Sequence, residues 1–229
     1  MRAAVPAAAL GAALAALAAP LPSRAGEIPD AMIVLEASLD QPWREAAAAP
    51  PRFVLLKDGQ VFVGGSDRVY AGRLEKAEMQ TVEKRAQQIR KLPALGTLVA
   101  FGADTKKSFR LRLLKDKPLD LHITGDPRAA LPQMQALASF VADLATFYHP
   151  SLRPYTPSAY ALAVREGALV GGCRPWGFTV SLPQAVSMAQ AIPAAEASGW
   201  PTGADAASVC VGDKRYVVTL RPLLPGEHP

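Results

Sequence analysis

The sequence predicts an α+β fold: mostly antiparallel sheet, with two longer amphipathic helices and one short helix packed on one face. Three observations carry that reading. Short runs rich in Val, Leu, Ile and Phe recur and are joined by turn residues, as in RFVLLKDGQVFV at 52–63. Two longer stretches, 75–91 and 126–148, instead repeat their apolar residues at three- and four-residue steps, the period of one buried helical face. The strands follow one another through hairpin-like links rather than alternating with helices, which argues against a doubly wound sheet.

The chain opens MRAAVPAAALGAALAALAAPLPSRAGE. Arg2 supplies a positive end, residues 7–19 an apolar run, and Ser23-Arg24-Ala25 the small residues a signal peptidase reads, so residues 1–25 read as a cleaved secretory signal. A membrane span needs about 20 apolar residues, and Pro20 and Pro22 end this run early. No cysteine lies near it to carry a lipid, so no integral membrane segment is expected after processing. Removing Arg2 and Arg24 lowers the formal charge from +5 to +3. That mild balance lacks the clustered Lys and Arg of a nucleic-acid binder, so no nucleic acid is expected among the partners.

Residues 26–51 hold one strand candidate, 31–37 (AMIVLEA), and a connector made irregular by Pro42, Pro50 and Pro51. The section 52–150 follows. Lys57-Asp58-Gly59 separates strands 52–57 and 60–64, and Asp-Gly between apolar runs predicts a tight hairpin with positive φ at both turn positions. A third strand, 68–74, leads into a helix over 75–91 whose inner row is Met79, Val82, Ala86 and Ile89, with Leu74 and Leu92 extending it. Lys76, Glu83, Lys84, Arg90 and Lys91 read as its solvated face. Pro93 stops it.

Strands are then expected at 97–101, 108–114 and 118–124. Phe109, Leu111 and Leu113 alternate with Ser108, Arg110 and Arg112, so one face is buried and the other basic; Leu119, Leu121 and Ile123 leave Asp120, His122 and Thr124 facing out. Asp126 and Pro127 read as N-cap and first residue of a second helix, with Leu131, Met134, Leu137, Val141, Leu144 and Tyr148 as its apolar stripe. Pro150, Pro154 and Pro157 mark the boundary to a section 151–229. It carries strands at 159–165 and 177–180, a short helix opened by Ser181-Leu182-Pro183-Gln184 with Ala185, Met188, Ala189 and Ile192 inward, a loose stretch over 193–208, and strands at 209–211 and 215–220.

Cys173 and Cys210 are the two cysteines. In an exported protein such a pair reads as a disulfide that ties the 193–208 stretch back to the sheet. Free thiols and a catalytic thiol are the other options, but no CxxC partner or neighbouring histidine is present to lower a thiol pKa. His122, His149 and His228 are too scattered for zinc spacing, and His149 reads as a cation at a helix end. Asp120 and His122, two apart on a strand, share a face and form the one candidate dyad, imaginable with Ser108 or Ser151, though no GxSxG elbow is present. Gly64-Gly65 and Gly171-Gly172 read as turns, since no GK[ST] follows. Two features can recognise a partner. One is the basic strand face of Lys106, Arg110, Arg112 and Lys117; the other is Trp200 in Gly199-Trp200-Pro201-Thr202-Gly203, which either projects from a loop or folds back over the core.

Through Tyr155-Thr156-Pro157, Tyr160-Ala161-Leu162, Gly203-Ala204-Asp205-Ala206-Ala207 and YVVTLRPLLPGE at 216–227, the C-terminal third resembles secreted proteins of high-GC bacteria that carry no known activity. FVLLKDGQV at 53–61 looks like the opening hairpin of the same proteins. The resemblance implies export and transfers no functional residue. Together these readings lead to a secreted or periplasmic, non-catalytic protein that binds another macromolecule or supports an envelope assembly. One form of it is an inhibitor of a secreted hydrolase with the 193–208 loop as inserting element. Arg110, Arg112 and Trp200 are its candidate binding residues; no catalytic residue, metal ligand or cofactor is assigned. A hydrolase formed in the fold around Asp120 and His122, and a small-molecule carrier using a cleft between the two sections, are the alternatives.

Overall fold

The computed structural model describes residues 28–39, 52–64, 68–93, 95–167, 169, 171–203 and 205–229. The segment read as a signal and most of the proline-containing connector lie outside the described residues. Among the described residues, twelve strands form two sheets, accompanied by four α-helices. The fold is α+β, as the sequence predicts.

The large sheet contains β1 (Ala31–Leu39), β2 (Phe53–Leu56), β3 (Gln60–Gly64), β4 (Val69–Arg73), β5 (Leu98–Phe101), β6 (Lys107–Leu113), β7 (Leu119–Gly125) and the two-residue β8 (Arg153–Pro154). Their order is β5-β7-β6-β1-β2-β3-β4-β8. All neighbours are antiparallel except β5 and β7. That exception follows from connectivity, because α1 (Lys76–Arg90) carries the chain from β4 near one edge to β5 at the other. With α2 (Gln135–Ala145), it covers one face of the sheet. Ala86, Ile89, Leu137, Val141 and Leu144 pack there against Ile33, Leu35, Phe53, Leu55, Val61, Leu111 and Leu121. Arg85 links the helices, its Nη2 2.6 Å from Asp143 Oδ2 and its guanidinium 5.3 Å from the centre of the Phe140 ring.

The opposite face is divided. Over β1 to β4 it is apolar: Val34, Val54, Leu56, Phe62 and Val69 are buried beneath Leu224 of the C-terminal tail, with Tyr155 packed beside them. Tyr155 lies edge-on to Phe62 at 5.4 Å and donates from its hydroxyl to the Leu223 carbonyl at 3.2 Å. Over β6, β7 and β5 the same face is polar.

The small sheet comprises β9 (Ala159–Glu166), β10 (Gln190–Pro193), β11 (Ala206–Val211) and β12 (Lys214–Pro222) in the order β10-β9-β12-β11, all antiparallel. Leu162, Val164, Val209, Val218 and Leu220 form its core with Phe178, Ala185 of α3 (Leu182–Ser187) and Ala197 of α4 (Ala194–Ala197). The tail joins the two sheets. Arg221 Nη1 lies 2.7 Å from Glu227 Oε1, with side chains only 7% and 1% exposed, and Glu227 Oε2 accepts the Leu224 N–H at 2.9 Å.

Several local expectations are corrected. The β2–β3 link is a three-residue loop with only Gly59 at positive φ (+88°); Gly59 donates to the Leu56 carbonyl, a turn followed by a left-handed residue. The Asp58 carboxylate instead accepts the Gln60 N–H at 3.0 Å. Asp126 caps a 3-10 turn, Pro127–Ala129, rather than the second helix. Pro132 starts another turn, and α2 begins only at Gln135. Leu131 and Tyr148 therefore fall outside the helix and are 61% and 79% exposed. Residues 177–180 form no strand. Ile192 is buried on strand β10 rather than on a helix, Met188 is exposed, and the stretch read as loose contains α4. Arg90 is not merely solvated: it donates to the carbonyls of Leu113, Lys115 and Lys117 and so clamps the β6–β7 turn to α1.

Candidate functional site

Two-residue periodicity in β6 and β7 leaves a flat polar surface on the large sheet, opposite the helices. Register arranges it in rungs. Glu36, Arg110 and His122 stand side by side across β1, β6 and β7, with Leu98 of β5 beyond His122. The next rung carries Ser38, Ser108, Thr124 and Ala100. On the other side Arg112 stands opposite Asp120. Arg110 grips Asp120 as a fork, Nε to Oδ1 at 3.1 Å and Nη2 to Oδ2 at 2.8 Å. Arg112 Nη2 meets Glu36 Oε1 at 2.7 Å. The fork holds the Asp120 carboxyl below the usual carboxylate range and raises the Arg110 guanidinium. Within the face read as basic, Arg110 and Arg112 are therefore paired with carboxylates, and these strands present mixed sign.

Asp120 and His122 do share this face, and His122 is exposed. The serines do not join them. Ser108 Oγ bonds Ser38 Oγ, and Ser151 lies at the far half of the sheet beside β4.

There the structure assembles a chain that sequence reasoning missed. His149 Nε2 is 3.0 Å from Glu78 Oε1 and Nδ1 is 2.7 Å from Ser151 Oγ. The residue types are those of a hydrolytic triad; the bonding is that of a clasp. Ser151 Oγ accepts the Arg73 N–H at 3.0 Å and stands 3.1 Å from the Arg73 carbonyl, taking the place of a strand residue beside β4. Nδ1 also lies 3.2 Å from the Ser151 N–H, which donates to it, while Nε2 faces Glu78. Glu78 uses its other oxygen to accept the Glu75 N–H at 2.7 Å in the capping box of α1. That backbone bond, followed by the bond to His149, holds its carboxyl below the usual range. Gly72 makes the arrangement possible, since a Cβ there would stand 2.6 Å from Ser151 Oγ. Sequence spacing offered no signal, because Glu78 and His149 lie 71 positions apart.

Trp200 folds back. It is half-buried, its ring centre 4.4 Å from that of Phe178, with the Arg174 guanidinium 5.6 Å above it. Cys173 and Cys210 form a disulfide with Cα atoms 5.6 Å apart. The bridge lets the 173–174 segment run along the β11 edge, where Arg174 donates to the Ser208 carbonyl and accepts from the Cys210 N–H. An open cleft of about 550 Å³ is lined by Asp58, Arg73, Leu74, Glu75, Lys76 and Met79. Among the described residues no helix is long and apolar enough to cross a membrane. Compared with family models, curated proteins and solved structures, the chain finds no match.

Proposed function

We propose that this is an exported, non-catalytic binding protein, secreted or periplasmic, that recognises a folded protein through the open polar face of β5, β6 and β7. The observation that carries the reading is the ladder of Arg110–Asp120 and Arg112–Glu36 pairs. Each guanidinium already faces a carboxylate, so the surface suits a partner of mixed charge rather than a uniformly anionic polymer. The leader-like residues 1–25 and the Cys173–Cys210 bridge support export, because disulfides persist in oxidising compartments. The resemblance to secreted proteins points the same way.

Capture from the producing cell's medium and envelope fraction, with the processed protein as bait, tests the reading. A protein retained by the wild type and lost with His122→Glu and Arg110→Ala is the expected result. Equal retention by the variants, or a product whose amino terminus is unprocessed, overturns it.

A further inference from the structure

We infer that the β5 edge is a two-fold interface at which a second copy of this chain adds its own β5, in antiparallel register about Val99. This stands independently of the binding reading above. The described strands offer four sheet edges, and three are blocked. β8 has two residues and ends in Pro154; β10 carries Pro193; β11 is overlain by the segment held by the disulfide, with Arg174 bridging Val209. Prolines, very short strands and overlying chain are the usual means of keeping an edge from pairing. β5 has none of the chemical ones. Its sequence, Leu-Val-Ala-Phe, contains no charge and no proline, and its register with β7 runs without a bulge.

The exposed residues of β5 are also self-complementary. His122 donates its N–H to the Thr97 carbonyl, so the bonds to β7 fall on Thr97 and every second residue after it. The N–H and C=O groups of Leu98 and Ala100 consequently point away from the sheet. With the axis at Val99, Leu98 of one copy stands opposite Ala100 of the other, and the four residues exchange four backbone hydrogen bonds. A large exposed side chain, Leu98 at 79%, then lies beside a small one on the same face. Across the seam the rung of Glu36, Arg110 and His122 continues into the partner copy's rung of Thr124, Ser108 and Ser38, so no charge meets its like. An edge of this length buries less than the roughly 1,200 Å² of a standard interface, so the dimer is weak and concentration-dependent.

Sedimentation velocity across a concentration series, combined with amide hydrogen exchange, reads this out. The wild type shifts from monomer to dimer, and the Leu98 and Ala100 amides slow as the dimer forms. Leu98→Lys, which leaves the buried face untouched, stays monomeric with an unchanged urea midpoint; Ala100→Pro, which removes one outward donor, does the same. A wild type that is monomeric at every concentration overturns the inference. So does a dimer that survives both substitutions, or one in which those two amides exchange as fast as in the monomer.

Discussion

Glu227→Gln tests what holds the C-terminal tail against the large sheet. The Arg221–Glu227 pair is almost fully enclosed, and Glu227 also accepts the Leu224 N–H that positions Leu224 over Val34, Val54 and Phe62. Removing one charge from a buried pair costs about 3–5 kcal/mol, mostly because the remaining charge stays desolvated. Gln keeps the shape and one acceptor for Leu224, which places the expected loss near the low end, about 3 kcal/mol. That is a large share of a total stability of roughly 5–15 kcal/mol. In urea, with a slope of about 2 kcal/mol per molar, the midpoint falls by about 1.5 M. A double replacement, Arg221→Met with Glu227→Leu, removes both charges and recovers most of the loss. Equilibrium unfolding followed by tryptophan fluorescence, with Trp176 and Trp200 packed in the small core, reports all three proteins. A midpoint shift for Glu227→Gln below about 0.3 M, or a double variant no better than the single one, refutes the assignment of the tail's hold to this pair.

Ser151→Ala removes the bonds to Arg73 and lowers stability by about 1 kcal/mol, since water reaches the freed groups. Gly72→Ala costs about 1–3 kcal/mol through its contact with Ser151 Oγ, and the double variant costs less than the sum; additive losses in denaturation curves contradict the clasp. The same geometry predicts that Ser151 resists a fluorophosphonate, so labelling at Ser151 detected by mass spectrometry returns it to the nucleophiles. Replacing Cys173 and Cys210 with Ala lowers stability by about 2–4 kcal/mol, measured against the oxidised parent, and an unchanged midpoint counts against the staple. Asp120 has a folded pKa below its unfolded value of about 3.9. Its stabilising contribution is therefore complete above that value and disappears as pH falls through the folded pKa. With side chains 35% and 42% exposed, the Arg110–Asp120 pair contributes at most about 1 kcal/mol. NMR titration of the Asp120 carboxyl in Arg110→Gln moves its midpoint up, and a midpoint that does not move disproves the fork.

Much of the fold was written in local pattern. Strict alternation in KSFRLRL and LDLHITG placed Phe109, Leu111, Leu121 and Ile123 on the helix side and left Arg110, Asp120 and His122 outside, which is where they lie. The unbroken apolar runs MIVL, FVLL and VFV carry a different message, two-sided burial, and the tail and Tyr155 supply the second cover. The cysteine pairing followed from the cysteine count and the leader-like opening of the sequence alone. Helix starts were less legible, because an N-cap signature such as Asp126-Pro127 serves a 3-10 turn as well as an α-helix, and only Pro132 downstream decides between them.

What stayed hidden was everything set by contacts between distant segments. A sequence shows that Arg110 and Arg112 face outward, but their charge is cancelled by carboxylates on other strands, Glu36 being 76 positions from Arg112. The same blindness concealed the Glu78–His149–Ser151 chain and gave Asp120 and His122 a catalytic colour they share with any charged strand. Trp200 shows why such cases resist local reading. Whether a loop tryptophan projects or folds back depends on a platform to receive it, and here that platform is Phe178, 22 residues earlier. The path of the 173–178 segment that carries this surface is held to β11 by the disulfide and the Arg174 bridge to Val209. Part of the Trp200 indole is already engaged by Phe178 and Arg174, whereas the polar face of the large sheet is presented whole by the folded protein, and that asymmetry is the physical reason for preferring the sheet over the loop.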